Sequence, residues 1–172
     1  LATALALEKY FERIYAINQV RVDHEGQAMA PGIGRYPEDR YDGYGTDGQG
    51  NPWFLATQAL AEFHLRLRGE LAARKSLQIT AASRPFYEAL VGQSFSTRKV
   101  LKANEPTFDV VLSALQAKSD AFIRRARQHT EKGGRQSEQF NRVTGYMQGA
   151  NDLTWSYASF LSLRRIREQT YE

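Results

Sequence analysis

The residues with the greatest chemical reach lie in two widely separated stretches. Gly34-Arg35-Tyr36-Pro37-Glu38-Asp39, followed by Asn51-Pro52-Trp53-Phe54-Leu55, sets an arginine, two carboxylates and large rings close together in sequence. Flat rings suit the apolar faces of a pyranose, and a guanidinium fork can satisfy two oxygens at once. Arg, Tyr and Trp on a loop and a helix start therefore offer what sugar recognition needs, although such a trio also serves to pack a loop onto a domain. Further along, Ser137-Glu138-Gln139-Phe140 places a carboxylate beside an amide in a turn, where a glutamate is ordinarily a solvated charge. Asn151-Asp152-Leu153-Thr154-Trp155-Ser156-Tyr157 then opens a helix with a cap and two large aromatics.

Other chemistries find less support. Gly43, Gly45 and Gly48 have the G-x-G-x-x-G spacing, but a dinucleotide fingerprint needs a strand before it and a helix opening at its last glycine. Asp39, Asp42 and Asp47 do not follow the alternate-residue pattern of a calcium loop and read as turn-shaping residues. His24, His64 and His129 are scattered, cysteine is absent, and no serine sits in a nucleophile motif, so neither a metal nor a cofactor is expected. The net charge of +4 and pI near 9.4 come mainly from Arg124, Arg125 and Arg127 and from Arg164, Arg165 and Arg167. Both clusters fall in amphipathic helical patterns without interleaved aromatics, which argues against nucleic acid as a partner. No apolar run approaches the roughly 20 residues needed to span a bilayer, and no targeting segment opens the chain, so no membrane role is expected.

These residues must be held by helices. Hydrophobic and charged contents of 42% and 24% are those of a folded chain, and 172 residues fit one domain. Leu7, Tyr10, Phe11 and Ile14 share one helical face, predicting a helix that ends near Ile17 and Asn18. Asn51 as N-cap and Pro52 as first residue predict a second helix with Leu60, Phe63, Leu67 and Leu71 inward. A shorter helix follows Ser83 and Pro85. The longest stripe, Phe108 to Ala126, predicts a helix from Glu105 to Thr130 closed by Gly133 and Gly134. A last helix from about Asn151 to Glu168 buries Leu153, Tyr157, Phe160 and Leu161. No strand alternation competes, so the class is all-α. The loop from Asn18 to Gly50 exceeds the roughly 12–15 residues usual for a structureless connection, and its Tyr36, Tyr41 and Tyr44 favour a functional loop over a disordered one.

In this order and register, Gly34 to Tyr41, Gly50 to Thr57, Ser137 to Phe140 and Asp152 to Tyr157 resemble the motifs of glycoside hydrolase family 15, the glucoamylases, over essentially the whole chain. The resemblance implies a portion of an (α/α)6 toroid, about five long helices with long active-site loops, in which residues 1–172 form the C-terminal part of a single catalytic domain. It implies an inverting, exo-acting hydrolase that releases β-glucose from α-1,4-glucans or malto-oligosaccharides. Glu138 is similar to the general base; Arg35, Tyr41, Gln139 and Trp155 match substrate-binding positions; Glu38, Asp39 and Trp53 match supporting ones. The general acid and the N-terminal part of the domain would lie before Leu1, leaving the 172-residue chain inactive by itself, and a secreted or periplasmic location is what the family implies. Two departures stand out: Asp42 to Gln49 lengthen the loop, and Gly149 stands where other members can carry a small hydroxyl residue. Two alternatives remain open at this level. One is a catalytically silent carbohydrate-binding or regulatory toroid domain, against which the retention of Glu138 weighs; the other is an unrelated small helical interaction protein with a basic face.

Overall fold

A computed structural model describes residues 1–169. Its helices are α1 (Ala2–Ile14), α2 (Phe54–Arg74), α3 (Arg84–Val91), α4 (Pro106–His129) and α5 (Thr154–Gln169). Four short strands accompany them: β1 (Ser76–Gln78) pairs antiparallel with β2 (Val100–Lys102), and β3 (Gln139–Phe140) with β4 (Met147–Gln148). These ladders are too short to show a period of two in the sequence, which is why the all-α reading passes over them.

Helix α2 is the centre, packing on α4 along one side and α5 on another. Two apolar clusters divide the interior. The first joins Phe54, Ala61 and Leu65 of α2 to Phe122 and Ala126 of α4, with Phe11, Ile33 and Phe140 closing it; the second joins Leu71 of α2 to Phe108, Val111 and Leu115 of α4, with Phe86 and Leu101. The start of α2 thus meets the end of α4, so the two helices run antiparallel. Each fully buried Leu or Phe contributes roughly 1.5–3 kcal/mol.

Several local expectations change. Helix α1 stops at Ile14, and the chain continues as a 3-10 turn, Ala16–Gln19. Helix α2 starts at Phe54 rather than Pro52, and Asn51 is not its cap. Its most deeply buried positions are Phe54, Thr57, Ala61, His64 and Leu65, because two helices cover it and the inward arc is wider than a single stripe. Helix α4 ends at His129 with an extended Thr130, before Gly133 and Gly134 are reached. On α5, Phe160 is 40% and Leu161 59% exposed, whereas Ser156 and Leu163 are buried. The face turned to α2 is the one that carries small polar residues.

The 18–50 loop is ordered by buried polar groups. The Arg125 guanidinium, fully inside, donates to the carbonyls of Ala30 (2.7 Å), Ile17 (3.1 Å) and Val20 (2.5 Å); burial lowers its pKa to about 10. Asn18 spans the loop, its amide donating to Phe11 O and Gly32 O while its Oδ1 accepts Gly32 N–H. Unsatisfied buried carbonyls each cost about 1–3 kcal/mol, so these side chains fix the path of the loop up to Arg35.

Candidate active site

Residues 32–54 and 136–150 meet at the start of α2. Trp53 and Gln139 form an isolated antiparallel bridge, Phe140 N–H donates to Pro52 O (3.0 Å), and Phe54 N–H reaches Glu138 O (3.4 Å). On the other side Glu138 N–H donates to Ala150 O (2.8 Å). Ser156 Oγ donates to Ser137 O (2.7 Å), which fastens the same segment to the first turn of α5. Glu138 thus sits at a bend directly before β3, its backbone clamped from two sides.

Its carboxylate is half-buried and accepts from the Tyr41 hydroxyl (Oε2, 3.1 Å) across 97 residues of sequence. Tyr41 has one proton and a second acceptor, Gly43 O, also at 3.1 Å. The charged acceptor makes the stronger bond, so the phenol donates to Glu138 while that group is ionised. Burial and the Glu138 contact together push the Tyr41 pKa up, keeping it a donor.

Arg35 faces this pair. Its Nε donates to Asp39 Oδ2 (2.8 Å) and its Nη2 to Asp39 Oδ1 (2.7 Å), one turn apart in sequence. The guanidinium carbon lies 5.0 Å from the Trp53 ring centre, 5.1 Å from Tyr41 and 5.5 Å from Tyr36. Burial works against the charge of Asp39, but the Arg35 guanidinium and the Tyr41 N–H outweigh it and hold the carboxyl below its usual range. The hydrogen bonds to Asp39 likewise raise the Arg35 pKa, with Glu138 adding to the effect. A guanidinium has five donors; with one N–H on each Asp39 oxygen, three remain for another oxygen-rich group.

Two glycines make room for the carboxylate. A Cβ on Gly149 would stand 2.5 Å from Glu138 Oε2, and one on Gly43 would stand 2.8 Å from the Cα of Gly149. Both have positive φ, +79° and +101°, a conformation that suits glycine. One glycine of the accidental dinucleotide spacing thus serves a steric purpose.

The structure therefore brings together Glu138, Tyr41, Arg35, Asp39 and Trp53. It places three expected residues elsewhere. Gln139 is fully buried, its Oε1 accepting from Asn51 Nδ2 (2.9 Å). Trp155 stands on the first turn of α5 with 61% exposure, and no ring or cation contact joins it to Arg35, Tyr41 or Trp53 among the described residues. Glu38 is exposed and lines an open cleft with Arg40, Asp47 and Arg142, in which Glu138 takes no part. Sequence reasoning missed the structural duties of Asn51, Ser137 and Ser156; a polar residue directly before Pro52, where the chain must bury itself, was the one available signal for Asn51. Among the described residues no three acidic or His side chains gather as metal ligands, and no helix is long and apolar enough to cross a membrane.

The family model for glycosyl hydrolases family 15 matches residues 1–165. The chain belongs to this family. A glucoamylase of Blastobotrys adeninivorans is 42% identical over 170 residues, covering 98% of this chain and 27% of that protein. An intracellular, sporulation-specific glucoamylase of Saccharomyces cerevisiae is 35% identical, covering 100% of this chain and 32% of the relative. Among solved structures, the glucoamylase of Saccharomycopsis fibuligera superposes with a TM-score of 0.87 at 29% identity, covering 98% of this chain and 35% of that one. This family 15 chain accordingly spans 27% and 32% of the length of these relatives, and its helices match those of glucoamylases, which are (α/α)6 toroids.

Proposed function

We propose that residues 1–172 form the C-terminal part of the catalytic domain of an inverting, exo-acting α-glucoside hydrolase, which releases β-glucose from the non-reducing ends of α-1,4-glucans. The observation that carries this reading is the Glu138 carboxylate held by Tyr41 and faced by Arg35, at the positions where the family motifs coincide. Inversion needs one ionised carboxylate to draw a proton from water and one protonated carboxyl to assist the leaving oxygen, separated by roughly 6.5–9.5 Å. Glu138 is the base in this scheme. The acid comes from residues outside this chain.

Arg35 directs its remaining N–H groups at glucose hydroxyls, and Tyr41 lines the same subsite. Trp155, open to its surroundings, offers a ring for a sugar face. Gln139 contributes from behind the site. The S. cerevisiae relative is intracellular by its description, so either a secreted or an intracellular location is compatible with the family. The silent-domain reading has no observation in its favour, since the carboxylate and its hydrogen-bond donor are both retained.

The decisive experiment uses the full-length enzyme on maltose and malto-oligosaccharides. Glu138→Gln should lower kcat by about 10²- to 10⁴-fold, the usual worth of a general base. Anomer-resolved NMR should find β-glucose as first product; α-glucose first, or an unchanged kcat, refutes the assignment. The 172-residue chain alone should release no glucose in the same assay, and steady release by it would refute the placement of the acid elsewhere.

A further inference from the structure

Asn51 is 1% exposed, and all of its amide's hydrogen-bonding groups are used. Its oxygen is identified by the backbone N–H of Arg142, which donates to it at 3.0 Å and can do nothing but donate. The other atom is therefore the nitrogen, with two hydrogens. One goes to the carbonyl of Asp42 (3.0 Å), the residue after Tyr41; the other goes to Oε1 of Gln139 (2.9 Å), the residue after Glu138. One amide thus grips the neighbours of both partners in the Tyr41–Glu138 bond.

A second grip runs in parallel. Gln148 Nε2 donates to the same Asp42 carbonyl (2.5 Å), and Gln148 pairs with Gln139 in the β3–β4 ladder. The grip matters because Tyr41 has a choice: its single proton faces Gly43 O and Glu138 Oε2 at equal distance. A small shift of residues 41–43 against 138–139 decides which acceptor takes it.

We infer that Asn51 is a positioning residue that sets the Tyr41 hydroxyl on Glu138 and so fixes the aim of that carboxylate. This rests on the reading of Glu138 as the base. Among the described residues, the charged and titratable groups facing Glu138 are Tyr41 and Arg35 from the 35–43 loop, with Asp42 beside Tyr41. Gly149 and Ala150, on the hairpin side, carry none. Loss of the Tyr41 donor leaves the carboxylate free to turn, and a small misplacement at the reacting centre is costly.

The test uses full-length enzyme. Asn51→Ala removes both donors and adds no charge. Expected are a fall in kcat of about 10²-fold, the scale of a small misplacement, with KM changed by less than about 3-fold, as in Tyr41→Phe. Because both changes act through one bond, Asn51→Ala with Tyr41→Phe should be no slower than the worse single variant by more than about 2-fold. Multiplying losses, or a loss that falls on KM and leaves kcat unchanged, overturn the inference. Should Asn51→Ala fail to fold, the half-buried Gln148→Ala carries the same test: a smaller fall in kcat that does not multiply with Tyr41→Phe supports the inference, and a multiplying or absent loss refutes it. If Glu138→Gln is inactive while these losses multiply, only the positioning role falls; if Glu138→Gln remains fully active, the reading of the base falls with it.

Discussion

Asp39 is the residue on which Arg35 depends. With both carboxylate oxygens engaged, the guanidinium is held in one plane against Tyr41 and Trp53, so its free N–H groups keep a fixed direction. Hydrogen bonds to charged groups are worth about 1.5–3 kcal/mol, which corresponds to roughly 10- to 100-fold. Asp39→Asn, which keeps the shape and removes the charge, should lower kcat/KM on maltose by that factor; a change under about 3-fold would show that Arg35 is not oriented by this pair. At this scale the sequence was only partly legible. The four-residue spacing of Arg35 and Asp39 is visible in the sequence, whereas the bond between Tyr41 and Glu138, 97 residues apart, has no local signature. Gln139 shows the opposite problem: its place beside Glu138 suggests a sugar contact, whereas its side chain is buried and accepts from Asn51, a partner 88 residues away in sequence.

At the scale of elements, the helices announce themselves through periodicity, and their faces do not. Phe160 and Leu161 look like core residues of α5, yet the helix buries Ser156 and Leu163 and bonds through Ser159 to Gln58 of α2. The interface between α1, α2 and α4 holds a buried ionisable group of the same illegible kind. Lys118 Nζ lies 3.0 Å from Glu8 Oε2, and His64 Nε2 lies 3.5 Å from Glu8 Oε1. The second contact is an ion pair only if the imidazole is protonated. Burial opposes this and lowers the His64 pKa to about 4, while Lys118 already supplies the counter-charge of Glu8. His129, stacked on Phe140 at 4.4 Å, is lowered by burial to about 4 as well. For a histidine whose folded pKa is depressed, the neutral ring favours folding above the unfolded value of 6.5, and that stability is lost as pH falls toward the folded value. The His64 shift from 6.5 to about 4 corresponds to about 3 kcal/mol. The thermal midpoint of the full-length protein should therefore fall between pH 6.5 and about 4, and His64→Phe should remove roughly half of that slope. A variant with the wild-type slope would count against this account.

At the scale of the whole molecule, the division of the interior into two clusters has a consequence for motion. Among the described residues the half-buried Leu60 packs against both, and the buried His64 ring stacks between Phe86 of one and Phe122 of the other; the site loops rest on the cluster around Phe54, Phe122 and Phe140. The other end, under α3 and the β1–β2 ladder, shares α2 and α4 but lends no side chain to Glu138, Tyr41 or Arg35. Proteins open locally in cooperative units that follow such divisions. Amide hydrogens of Leu77, Ile79 and Leu101 should then exchange with solvent in a step distinct from those of Ile33, Phe54 and Phe140, and Phe86→Ala, expected to cost about 3–5 kcal/mol, should accelerate exchange in the first group while leaving kcat at low temperature within about 2-fold. Uniform acceleration of both groups would mean a single cooperative unit. Two separable halves would let drift in the distal half alter lifetime and heat resistance while the arrangement around the carboxylate stays as it is.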